Sequence, residues 1–170
     1  MSRRRGFGDE TWRLARAGDA AGLERAAQLL LRNGTDTEYE GRRARAFRLA
    51  LERRTSEALR ELAEGWAEDW PPPSAYALDV SRVHYLAGDP VRALTAIELE
   101  LRGLSRWEGV SELAAACVGR DRRLWRRGLR VAAAAERGPR KLRAVAAVLR
   151  ARADAAPAAA GTVPEPTPES

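Results

Sequence analysis

The chain reads as an all-α protein built of stacked antiparallel helix pairs that form a short solenoid, and three observations predict this. Ala77, Val80, His84 and Tyr85 recur at helical spacing before the turn Ala87-Gly88-Asp89, and Val91, Ala93, Leu94, Ile97 and Leu101 do so after it. Helix-break signals stand at Gly18-Asp19, near Arg53-Arg54-Thr55, at Gly88-Asp89 and at Gly119-Arg120-Asp121, at intervals of about 35, 35 and 31 residues, within the range of helix-pair repeats. The helices so delimited are too short to be stable alone, so similar units are expected to stack on one another.

Residues 1–8, with Arg3, Arg4 and Arg5 in a row, are expected to form a flexible basic arm ahead of a helical repeat domain over 9–152. A first helix from Asp9 to Ala17 carries Trp12 and Leu14. Asp19 caps the next, whose apolar stripe is Leu23, Ala26, Ala27, Leu30 and Leu31, and Asn33-Gly34 ends it. Thr35 and Glu38 have capping-box spacing before a helix from Thr37 to Leu51, with Ala46, Phe47, Ala50 and Leu51 inward. Its partner, from Thr55 to Glu68, carries Ala58, Leu59, Leu62 and Trp66. Glu57, Glu61, Glu64 and Glu68, with Arg53, Arg54 and Arg60 nearby, mark a solvated, ion-laced side of that helix. Trp70 and Pro71-Pro72-Pro73 stop it and make a stiff corner.

In the central pair Asp89 caps the second helix and Pro90 takes its first turn. Ser105 to Glu108 offer a further capping box, and Leu113, Ala114, Ala116 and Cys117 then give a face of mostly small residues. Gly119 fits a C-cap and Asp121 can begin the next helix. Gly138-Pro139 interrupts the pattern, and Leu142, Val145, Ala146 and Leu149 form the last stripe. Residues 153–170, dominated by Ala, Pro, Thr and Glu, are expected to be a disordered tail.

A length of 170 residues with 45% hydrophobic content permits one domain with a sizeable core, but much of that fraction is Ala, so the core should be thin and its helices close together. The formal charge of +6 is unevenly placed: residues 9–112 hold 15 Arg and 19 acids, whereas residues 120–152 hold 11 Arg, one Lys and two acids. Cys117 is the only cysteine, which excludes an internal disulfide or a cysteine-rich metal site. No apolar run reaches the roughly 18 residues of a membrane span. MSRRRG is followed by FGDE rather than a hydrophobic segment, so it is not expected to make a secretory signal and the cytoplasm is the default location. His84 is the only histidine. Asp79 and Asp89 bracket it without triad or metal spacing, and Gly6 and Gly8 form no phosphate loop. The chain is therefore expected to be noncatalytic, with neither cofactor nor metal.

The segment YALDVSRVHYLAGDPVRALTAIELEL resembles the tetratricopeptide repeat, a helix-turn-helix of about 34 residues. Gly88-Asp89 match its turn, Ala93 the small residue of the second helix and Ile97 the large apolar position that follows, while Tyr85 and Val80 suit the first helix. Ser81, His84 and Glu100 depart from the pattern. A second unit over 39–71 places Ala46, Leu49, Ala58 and Leu62 correspondingly, and the resemblance extends over 9–135, with Leu23, Glu112 and Leu124 as further departures. It implies binding of a peptide or an acidic protein surface on the concave side, along a ridge of Trp12, Arg16, Arg43, Phe47, Arg82, Tyr85 and Arg106. Arginine offers paired donors to carboxylates, and aromatic rings supply contact area at low entropy cost. An end of such a stack lacking a polar cap would self-associate.

The run from Gly119 to Arg152 supports an alternative, nucleic-acid binding. Arg122, Arg126 and Arg130 fall four residues apart, Arg123 and Arg127 form an adjacent stripe, and Arg140, Lys141 and Arg143 open a second basic patch. Phosphate attraction needs this charge density and little sequence precision. Trp125 is placed either to stack on a base or to cover the edge of its own domain. With no zinc-finger ligands and no aromatic RNA-binding motif, backbone contact is expected ahead of base readout.

Overall fold

The computed structural model describes residues 7–34, 37–66, 73–100 and 109–155. Outside these lie the arm up to Gly6, Thr35, Glu68, the corner Trp70-Pro71-Pro72, Leu101, the capping box of Ser105 to Glu108 with Arg106 inside it, and the tail from Ala156. The described chain is all-α: α1 (Phe7–Arg16), α2 (Ala20–Arg32), α3 (Glu38–Leu51), α4 (Thr55–Gly65), α5 (Pro73–Leu86), α6 (Pro90–Glu100), α7 (Val110–Arg120), α8 (Trp125–Ala135) and α9 (Gly138–Asp154), with a 3-10 turn at Arg122–Leu124 between α7 and α8. No helix among the described residues is long and apolar enough to cross a membrane.

Three of the predicted breaks have the same backbone chemistry. Gly18 N–H donates to Ala15 O and Asp19 N–H to Leu14 O; Arg53 N–H donates to Ala50 O and Arg54 N–H to Leu49 O; Gly88 N–H donates to Tyr85 O and Asp89 N–H to His84 O. Each is the paired closure that satisfies the last carbonyls of a helix through one left-handed residue. That residue is Gly18 (φ +70°), Arg53 (φ +63°) and Gly88 (φ +89°). Leu23, Ala58 and Ala93 then donate to the carbonyls of Asp19, Arg54 and Asp89, starting α2, α4 and α6 in the same register. Asp19 and Asp89 add side-chain caps, accepting from the amides of Gly22 and Arg92.

The fourth break is built differently. Gly119 does not cap α7; the helix continues through it to Arg120, and an extended Asp121 (φ −139°) ends it while donating its N–H to Cys117 O. No left-handed residue is needed there. Asp121 caps the following 3-10 turn by accepting from the amide of Arg123.

Consecutive helices pack on one another from α1 to α6, with α5 also resting on α3, and α7, α8 and α9 form a mutually packed group joined to the rest mainly through α6, with α5 also touching α7. Leu23, Phe47, Leu62, Val83, Leu94, Ile97, Leu113 and Val131 are buried, and wholly buried alanines such as Ala27, Ala44, Ala50 and Ala114 let backbones approach closely. One such close approach is at Gly128 of α8, where a Cβ would stand 2.6 Å from Val118 Cγ2 and 3.3 Å from Val148 Cγ1.

Several expectations about faces are corrected. In α9 the buried residues are Ala144 and Val148, while Leu142 is 73% and Leu149 44% exposed, because a helix pressed against α7 and α8 at this distance turns its small residues inward. Val91 is exposed on α6. Trp66 stacks on Tyr76 with ring centroids 4.6 Å apart instead of entering the core. Thr37, not Thr35, precedes α3, and its hydroxyl donates back to Leu30 O at 2.6 Å. The fourth helix ends at Gly65, before Glu68, and the last runs to Asp154, past the boundary expected at 152.

Candidate nucleic-acid interface

The residues expected to line a peptide-binding ridge are mostly turned inward. Trp12, Arg43, Phe47 and Arg82 are buried, and their centre is Asp79, which is only 2% exposed. Asp79 accepts a hydrogen bond from Tyr39 Oη at 2.9 Å and from Arg82 Nη1 at 3.1 Å, with Arg43 Nη1 at 3.7 Å. The Arg82 guanidinium lies 4.8 Å from the centroid of the Trp12 ring, which meets Phe47 and Tyr85 edge-on. Burial, reinforced by the Asp79 carboxylate, pushes the Tyr39 phenol far above its ordinary range. Burial also lowers the Arg82 guanidinium from its usual value, with Asp79 opposing. Two guanidiniums thus share one buried carboxylate, and Arg43 Nε, Arg43 Nη2 and Arg82 Nε have no hydrogen-bond partner among the described residues.

Of the remaining ridge residues, Arg16 is exposed and hydrogen-bonds Glu112 of α7, and Tyr85 is half-buried with the Arg120 guanidinium 3.8 Å above its ring. Arg106 lies outside the described residues. Sequence reasoning missed Tyr39 as a member of this group and weighed Asp79 only as a neighbour of His84. The available signal was Asp79 with Arg82 three positions on, one helical turn apart along a mostly apolar helix.

The basic C-terminal residues divide by partner. Arg123 is held by Asp121 through two bonds of 3.0 Å, which depress the Asp121 carboxyl below its ordinary range. Arg127 donates to Glu98 at 2.6 Å and to Thr95 Oγ1 at 2.8 Å, and Arg130 stands 3.8 Å from Glu98. The expected stripe of Arg123 and Arg127 is therefore paired within the fold. By contrast Arg122, Arg126, Arg140, Lys141 and Arg143 are exposed with no carboxylate in ion-pair range among the described residues, and Arg137 and Arg150 extend the same surface.

Trp125 is half-buried, with the guanidiniums of Arg152 and Arg126 4.1 Å and 5.3 Å from its ring centroid. Arg152, which the sequence reading did not single out, occupies a face of the ring that a base would stack on. Glu136 lies beside this surface but accepts a hydrogen bond from Ser111. Among the described residues no group of three or more His, Cys, Asp or Glu side chains is placed to hold a metal ion. Comparison of the chain with protein-family models, curated proteins and solved structures finds no match.

Proposed function

We propose that the chain is a noncatalytic nucleic-acid-binding protein that holds a phosphate backbone against the outer surface of α8 and α9. The observation that carries this reading is the set of exposed cations, Arg122, Arg126, Arg140, Lys141 and Arg143, that no carboxylate among the described residues neutralises. A phosphate chain releases counterions when such groups replace them, and affinity then falls steeply with salt. Arg152 over Trp125 favours charge contact over base stacking. The three turns in one register support a tetratricopeptide-like stack as the scaffold. A protein or peptide partner is a second reading, with the cleft that Trp12, Arg13, Arg16, Ala17 and Glu112 border as its place.

The test is fluorescence anisotropy of labelled single- and double-stranded oligonucleotides across a salt series. Joint replacement Arg126→Glu, Arg140→Glu and Arg143→Glu should weaken binding about 100-fold near 0.1 M salt, for all sequences alike, and flatten the salt slope by about two to three. Unchanged affinity and slope in a variant with wild-type helicity would overturn the reading.

A further inference from the structure

The three turns share a backbone but not the residue at its left-handed position. The left-handed position is glycine in the first and third and Arg53 in the second. An L-residue is unfavourable there, because its Cβ crowds the following carbonyl. Strain of this kind persists where the side chain has work that glycine cannot do. Arg53 Nη1 donates to Ala87 O in the third turn at 3.2 Å. Gly88 makes room for it, since a Cβ at Gly88 would stand 2.8 Å from Arg53 Nη1.

Arg53 enters a cleft of about 580 Å³ that is also lined by Gly88, Arg120, Asp121, Arg122 and Arg123. Arg120 is seated in the same manner as Arg53: Nη1 donates to Tyr85 O, and the guanidinium covers the Tyr85 ring. The carboxylate in the lining, Asp121, is engaged by Arg123 on both oxygens. Asp89, between Gly88 and Pro90, caps α6 and faces Arg92 at 3.5 Å. Arg122 has no carboxylate in ion-pair range among the described residues. Four guanidiniums thus converge against one carboxylate. Two of the four are oriented by backbone carbonyls, which fix a cation without neutralising it.

We propose that this cleft is a binding site for a phosphate dianion, as carried by a phosphate monoester. A monoester bears nearly two negative charges at neutral pH and presents three acceptor oxygens, matching an excess of forked donors better than the single charge of a backbone diester does. The site includes Arg122 and so adjoins the surface assigned to nucleic acid. As a reader of strand ends it rests on that reading, whereas as an anion site it rests on the cleft alone.

Two measurements on the full chain separate these. In the first, inorganic phosphate is titrated calorimetrically into wild type, Arg53→Gly and Arg120→Gln. In the second, anisotropy compares matched oligonucleotides ending in a 5′-phosphate or a 5′-hydroxyl. The expected result is a heat of phosphate binding in wild type that is lost in both variants. Where the ligand is a strand end, there is also about a tenfold preference for the 5′-phosphate that falls to about one. Arg53→Gly should not lower the thermal midpoint, because glycine suits the turn, so loss of binding without loss of stability assigns the strained arginine to the ligand. Phosphate heat with equal oligonucleotide affinities identifies a small phosphorylated molecule as the source. Phosphate heat with no oligonucleotide binding retains the cleft and removes the backbone reading. Salt-dependent binding of both oligonucleotides without phosphate heat or end preference does the reverse and overturns this proposal. So does a phosphate affinity that neither substitution changes.

Discussion

Between α2 and α5, most arginines stand beside acids. Arg42 reaches Glu38, Glu61 and Glu64, Arg48 reaches Glu24 and Glu52, Arg54 reaches Glu52 and Glu57, and Arg43 and Arg82 converge on Asp79. In α8 and α9, Arg126, Arg140, Lys141 and Arg143 have no carboxylate in range among the described residues. The two regions use nearly the same cation and differ in the local supply of acids. Where acids are interleaved, arginine laces helices together; where they are absent, its charge projects into solvent and is available to a polyanion. The number of arginines therefore says less about binding than the number of carboxylates beside them.

The comparison predicts unequal costs for removing charge. Asp79→Ala would leave two buried guanidiniums without their carboxylate and the Tyr39 hydroxyl without its acceptor. Breaking a buried pair on one side typically costs about 3–5 kcal/mol, which a urea unfolding series would read directly. Arg143→Glu on the open face of α9 should change stability by no more than about 0.5 kcal/mol. If Asp79→Ala cost as little as Arg143→Glu, the division between interior pairing and exterior charge would collapse.

Within the C-terminal group, packing takes the place that ion pairs hold earlier in the chain, and two glycines test this. Gly128→Ala must displace Val118 and Val148 and should destabilise by about 1–3 kcal/mol. Gly119→Ala meets nothing within 4 Å inside α7 and should be neutral or stabilise by up to about 1 kcal/mol. Thermal unfolding of the two variants side by side sharpens the contrast; equal shifts would mean that helix propensity, not close approach, sets the α8 contact.

These glycines also show what the sequence makes legible. Turns closed by local bonds were readable, since glycine or a capping aspartate sits where φ turns positive or an amide needs a partner, as at Gly18-Asp19 and Gly88-Asp89. The second turn was located by spacing, but nothing local announced that Arg53 itself would take the left-handed position. Helix faces were readable where large residues point inward, as at Leu23 and Phe47. They failed in α9, because Leu142 and Leu149 are the larger residues while the contact with α7 and α8 selects Ala144 and Val148. The basic surface was visible as composition. Its division into paired Arg123 and Arg127 and unpaired Arg122 and Arg126 was not, because Glu98, the partner of Arg127, comes from α6, 29 residues away.

The smallest expected effect concerns His84 on α5. Its Nδ1 is buried without a hydrogen-bond partner among the described residues, and burial lowers the imidazole below its ordinary value; Asp89 opposes this and Arg92 reinforces it. The unfolded chain, with an ordinary histidine near 6.5, then takes up this proton at higher pH than the folded chain does. Stability associated with His84 is complete above about pH 6.5 and is lost as pH falls below it. The urea midpoint should drop between pH 7.5 and 5.5 in the wild type, and His84→Gln should reduce that drop. The reduction should be small, because the ring is half-exposed and water screens much of the charge. An identical drop in His84→Gln would transfer the acid sensitivity to the carboxylate pairs, so that protonation would act through the acids that match the arginines rather than through the lone histidine among them.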